Sequence, residues 1–171
     1  MSKQIKCVPF YHDIAKLKPV ISEIGFDLHY NGVYKTFVDD FNEGEGDIAY
    51  NKAGAYLHDL YFENIREFRA DNAPVGRSQY IIEQRYGTYD NFMKTVETQV
   101  NRLQGSGWIF MNHSGYVNII PNNRIVDNVA MIIDCWEHAY AFTHGIDRIG
   151  YIRQHMSIID WDKVNERMNR E

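Results

Sequence analysis

Apolar residues recur at steps of three and four through most of the first hundred positions, then give way to short continuous runs before helical spacing returns near the end. Ile14, Leu17, Val20, Ile21 and Ile24 predict a short helical or turn-rich lead-in over residues 13–24. Residues 28–41 carry His29, Val33, Phe37 and Phe41 at steps of four, which predicts an amphipathic helix with an imidazole on its inner stripe. The acidic, glycine-bearing stretch 42–47 predicts a turn, and residues 51–68 a second helix offering Gly54, Leu57, His58, Tyr61, Phe62 and Ile65. A loop holding Asp71, Asn72, Pro74 and Gly76 follows.

Residues 78–85 again suit a helix, and Thr88 is placed to cap another that runs to about Leu103 on the stripe Phe92, Val96, Val100 and Leu103. Gly105-Ser106-Gly107 stops it. The runs 108–111 and 116–120 predict strands joined by Asn112-His113-Ser114-Gly115, and 129–134 a third strand reached through Pro121-Asn122-Asn123. Residues 151–159 and 161–168 predict helices, the last capped by Asp160. Helices, a short antiparallel sheet, then helices predict an α+β fold. Its two parts are an N-terminal helical hairpin lobe over residues 1–73 and a C-terminal lobe over residues 74–171 with a three-stranded antiparallel sheet and helices.

Composition narrows the function classes. A chain of 171 residues, 44% apolar with twelve Tyr, nine Phe and three Trp, packs as one ordinary domain or two small lobes sharing a site. A net charge of -5 without a Lys/Arg cluster argues against nucleic acid as a partner. No window reaches the length of a membrane span, the N-terminal segment lacks a signal-like apolar run, and Cys7 and Cys135 form no CxxC motif. These features predict a soluble protein of a reducing compartment, the cytoplasm, with no membrane partner. Cys135 follows Asp134 on the presumed strand and is expected to point into packing.

The chemistry concentrates in Asp134-Cys135-Trp136-Glu137-His138, where a carboxylate and an imidazole stand four residues apart at the end of a strand. Antiparallel packing of the two N-terminal segments would bring His29 and His58 together as a second pair. Three imidazoles and one carboxylate make a mixed N/O set suited to iron, manganese, zinc or cobalt rather than to calcium. His12, His113, His144 and His155 fit no ligand spacing and read as surface or packing residues. Tyr30, Tyr34, Tyr56 and Tyr61 flank the proposed ligands, either lining an approach to the metal or packing, with packing favoured.

Asp134 to Tyr140 matches DxWEHAY, a signature of the iron/manganese superoxide dismutase family, and the chain resembles a shortened, divergent member. Gly105-Ser106-Gly107-Trp108 resembles the family's GSGW, Tyr86 to Phe92 its FGSxDNF, and residues 151–161 its C-terminal YxxxFWxxxNW. The resemblance implies one iron or manganese ion per subunit on His29, His58, Asp134 and His138, with superoxide as substrate. It implies that Trp136 walls the metal pocket. It also implies that Glu137 crosses a two-fold interface, so that a homodimer forms through the Glu137/His138 region.

Departures from the family pattern fall around the ligands. Its active-site tyrosine position is Phe37, its gateway histidine is Val33, and its solvent-binding glutamine aligns with Gly54 or near Ile125. The shortened turn offers Asn122 or Asn123 as a substitute amide, and Tyr34 stands on the face along which superoxide would approach. Two functions follow. One is dismutation, with Asp134, Phe37, Trp136, Glu137, Tyr34 and Asn122 as the residues around the reacting position. The other is a structural or assembly protein that keeps the fold, with or without the metal, has little or no dismutase activity, and has a larger protein complex as its partner.

Overall fold

The computed structural model describes residues 4–170; Met1–Lys3 and Glu171, the outermost residues of the two expected lobes, lie outside it. Asp13 caps a 3₁₀ turn, Ile14–Leu17, and the first α-helix starts only where the Ser22 hydroxyl accepts from the Gly25 N–H. The lead-in therefore contributes Leu17, Val20 and Ile21 to the core and leaves Ile24 exposed. Helix α1 (Glu23–Asp27) runs without a break into a π-helical segment, Leu28–Tyr34, and then into α2 (Lys35–Glu43).

That segment corrects the predicted stripe. A π turn closes its hydrogen bonds one residue later than an α turn, so the inward face passes from His29 to Tyr34 and Val38. Val33, Phe37 and Phe41 lie half-buried on its flank. Gly44, in a left-handed conformation with φ +74°, closes α2. Asp47 then caps α3 (Ile48–Glu63) by accepting from the Tyr50 N–H. Helices α2 and α3 pack as the expected hairpin.

Helix α3 ends five residues sooner than its apolar pattern predicts. Asn64 is fully buried, donating from its amide to the Asp160 carbonyl and accepting from the Ile132 N–H. Beyond it, the Arg66 and Arg69 N–H groups donate to the carbonyls of Ile158 and Ser157, so this stretch is extended and ties the helical half to residues 157–159 of the C-terminal half.

The remaining elements are α4 (Gly76–Tyr86), α5 (Tyr89–Arg102), β1 (Gly107–Asn112), β2 (Val117–Pro121), β3 (Val129–Asp134), α6 (Glu137–His144), α7 (Arg148–His155) and α8 (Trp161–Met168). Thr88 and Asp160 cap α5 and α8 as predicted. The stripe Phe92, Val96, Val100 and Leu103 is buried. Helix α6 occupies a stretch to which the apolar pattern assigns no element, while α7 starts earlier than predicted and ends in a 3₁₀ turn, Met156–Ile158. The antiparallel sheet has the order β2-β1-β3 and gives the α+β architecture. Every residue of β3 is buried, and its register sets Asp134 opposite Trp108. Cys135 is buried directly after it. No helix among the described residues is long and apolar enough to cross a membrane.

Candidate metal centre

Asp134 closes β3, and the Trp136 N–H donates to its Oδ1 at 2.8 Å. That bond fixes the carboxylate and leaves Oδ2 facing three imidazoles. The Nε2 atoms of His29 and His138 each lie 2.9 Å from Oδ2, and that of His58 lies 3.5 Å away. One ligand atom from each of the four residues falls within 4.8 Å of all the others. The two predicted pairs, one from the helices and one from the end of the sheet, therefore meet at a single point.

Local structure orients each ring. His58 Nδ1 donates to the Gly54 carbonyl one turn back at 2.7 Å, which leaves the Nε2 lone pair free. The π segment brings His29 to face α3, its ring 5.1 Å from that of His58. His138 sits in the first turn of α6, stacked on Trp136 at 5.7 Å. Neither His29 Nε2 nor His58 Nε2 is aligned in a hydrogen bond, although both atoms are buried. Buried imidazole nitrogens without partners are costly; here they converge on a carboxylate oxygen.

Protonation states suit a cation. Burial lowers the pKa of His29, and it takes His58 to about 3 despite the neighbouring carboxylate. Burial alone would raise Asp134, but the charge and hydrogen bond of His138, followed by the close approach of the His29 ring, hold it well below the usual carboxylate range. An ion with bonds of about 2.0–2.2 Å sets donors at right angles about 3 Å apart, which agrees with the separations from Oδ2. The donor set fits a transition metal in size, charge and ligand type.

Aromatic groups wall the site. The Trp108 ring meets His58 edge-on at 4.9 Å, and Phe37 lies 5.5 Å from the same imidazole. Phe37 also explains Gly54: a Cβ there would lie 2.6 Å from the phenyl ring. Phenyl and glycine are thus complementary, and neither supplies a hydroxyl or an amide. Tyr34 is fully buried and stacks on His58; its hydroxyl donates to Asp59 and accepts from the Val8 N–H. Tyr30 donates to the Val8 carbonyl at 2.5 Å. These contacts tether the segment before α1 and make packing residues of both tyrosines. Glu137 is exposed at the start of α6.

The shortened turn separates its two asparagines. Asn122 takes a left-handed φ of 52° and is exposed. The next residue turns inward, and Asn123 Oδ1 accepts from the Trp108 Nε1–H at 3.1 Å. Its Nδ2 is buried without a partner. Adjacent asparagines in a turn look alike in sequence, and only the backbone geometry at Asn122 separates them.

The described geometry agrees with the comparisons to known proteins. A model of the family described as iron/manganese superoxide dismutases, C-terminal domain, matches residues 74–167. The chain is 30% identical to the superoxide dismutase [Mn/Fe] of Porphyromonas gingivalis over 98% of its own length and 100% of that protein's. It is 31% identical to the superoxide dismutase [Fe] of Bacteroides fragilis, covering 89% of this chain and 93% of the relative. With the superoxide dismutase [Fe] of Saccharolobus solfataricus it shares 26% identity over 98% and 95% of the two chains. From the four converging donors and these matches together, the chain belongs to the iron/manganese superoxide dismutase family.

Proposed function

We propose that the protein is a superoxide dismutase, converting two superoxide ions and two protons to dioxygen and hydrogen peroxide. The observation that carries this reading is the buried Asp134 carboxylate with three imidazole Nε2 atoms turned toward its Oδ2. One iron or manganese ion per subunit is held by His29, His58, Asp134 and His138; relatives with either metal in their names match the chain. When bound, such an ion supplies alternate acceptance and donation of one electron.

The chain's own residues do the rest. Trp136 restrains Asp134 through its backbone N–H and shields His138 with its ring, so water reaches the pocket from few directions. Asn123, anchored by Trp108, is the amide that stands nearest the ring walling His58 and is the candidate to orient solvent there. Phe37 and Val33 hold no proton, so protons for peroxide come from solvent. Glu137 and the exposed apolar side chains of Ile24, Leu28, Phe142 and Ile146 support pairing of two copies, since α6 packs against α1 and the π segment.

The apolar contact of Phe37 with Gly54 favours one other reading, a metal-stapled scaffold with little turnover. Metal analysis of the purified protein combined with a superoxide-consumption assay separates the two. The dismutase reading expects close to one iron or manganese per chain and a rate well above that of free metal, both lost in His138→Ala. A fully loaded protein with no such rate leaves only the scaffold.

A further inference from the structure

A second buried polar cluster stands behind His29, outside the donor set. Tyr61, Tyr151 and His155 are all fully buried. His155 Nε2 lies 3.3 Å from the Tyr61 hydroxyl, which lies 3.4 Å from that of Tyr151. His155 Nδ1 has no partner. Packing alone gives no reason for this arrangement, since Phe at all three positions would avoid burying three polar groups.

The cluster also joins the metal pocket to the surface. The Tyr61 ring stacks on His29 at 5.2 Å and 29°. On the far side, Tyr151 lies 5.3 Å from Tyr140 and 5.6 Å from His144, which is half-exposed at the end of α6 and bonded to Gln154. A phenol in a dry pocket gives up an electron only if its proton leaves too, because a buried cation radical lacks solvation. His155 is neutral, since burial lowers its pKa to about 3, and its Nε2 faces the Tyr61 hydroxyl with a lone pair that can take the proton of an oxidised phenol, a far stronger acid than the phenol itself.

We propose that Tyr61 is a redox-active tyrosine, with His155 as its proton acceptor, that drains stray oxidising equivalents from the metal pocket to the surface through Tyr151. The proposal rests on the dismutase reading for its oxidant, because hydrogen peroxide is formed in that pocket. With iron held by the four donors, peroxide taking one electron from its reduced state would yield hydroxide and a hydroxyl radical. The radical takes one electron from Tyr61 and becomes hydroxide, while the Tyr61 proton passes to His155 Nε2. Tyr151 then gives a hydrogen atom across the hydroxyl contact, restoring Tyr61 and leaving the unpaired electron on Tyr151. A small-molecule thiol at the surface gives one electron to Tyr151 across the His144 contact and becomes a thiyl radical, the His155 imidazolium returns its proton through Tyr61 to Tyr151, and the thiol proton neutralises the hydroxide.

The test treats iron-loaded protein, its metal content and dismutation measured first, with hydrogen peroxide and follows freeze-quenched samples by electron paramagnetic resonance. The wild type is expected to give a tyrosyl signal that forms more slowly in deuterated buffer. Tyr61→Phe should remove it, His155→Phe should cut its yield about tenfold, and both should lose activity to peroxide severalfold faster with their metal retained. Tyr151→Phe, which removes a single oxygen, should prolong the signal on Tyr61. A metal-free arm, oxidised by photogenerated ruthenium(III) tris-bipyridine, asks the same of the tyrosine alone, so a protein that fails as a dismutase still tests the relay. Equal radical yield in wild type, Tyr61→Phe and His155→Phe, or no tyrosyl signal in either arm, overturns the proposal.

Discussion

The two donor pairs are held in different ways. His29 and His58 come from packed helices and are buried by neighbouring rings, Tyr34, Phe62, Trp108 and Phe37 among them. Asp134 and His138 sit four residues apart at a strand end and are organised by a local bond from the Trp136 N–H, with the His138 side chain 22% exposed. The helical pair belongs to the hydrophobic core, whereas His138 is attached to its edge. Loss of a helical donor should therefore damage fold and metal site together, and loss of His138 chiefly the metal site.

The most severe break is Asp134→Ala, which removes the one group that all three imidazoles face. Metal content is expected to fall to background and dismutation with it, read by mass spectrometry and a superoxide assay. Next comes the pair His58→Ala and His138→Ala. On metal-free protein, the first should cost about 2–4 kcal/mol in a denaturant melt because it empties a packed site. The second should cost less, about 1–2 kcal/mol, because it takes a hydrogen-bond partner from Asp134 without opening a packed site, although both abolish stoichiometric metal. Equal losses would erase the distinction between the pairs.

Within the helical half, Gly54→Ala forces a Cβ into the Phe37 ring and should cost about 1–3 kcal/mol, with partial rescue by Phe37→Leu. At the sheet end, Asn123→Ala should keep its metal and lose about 10- to 100-fold in dismutation, while Asn122→Ala changes little. The smallest effect concerns Asp59, whose carboxyl is raised by burial to about 6 from 3.8. Between those values the folded chain binds a proton that the unfolded chain has released, so this group's contribution to stability falls as pH rises from about 4 to about 6. Asp59→Asn should flatten that slope in thermal melts taken across the window.

The halves also differ in how much their sequence discloses. In the C-terminal half, turn residues and caps act locally, so Thr88, Asp160 and the span of β3 follow from neighbours in the chain. The α6 helix escapes because it has only eight residues and no side-chain cap. In the N-terminal half, a step-of-four pattern with His29 describes an α-helix and a π-interrupted one equally well until the partner helix chooses, and it chose Tyr34 over Val33. The end of α3 was hidden for a similar reason: Asn64 is clamped by Ile132 and Asp160, residues far along the chain. The four donors were legible because a histidine or carboxylate stood at each position. The amide was not, since its direction depends on one left-handed residue, Asn122.

The claim beneath all of this is that donors from two structurally different halves share one ion. Anomalous diffraction from crystals of the metal-containing protein, measured on both sides of the iron and manganese absorption edges, tests it directly. A single peak bounded by Asp134 Oδ2 and the Nε2 atoms of His29, His58 and His138 is the predicted result. A metal peak elsewhere in the chain, or metal-loaded crystals with no peak among these four atoms, would contradict it.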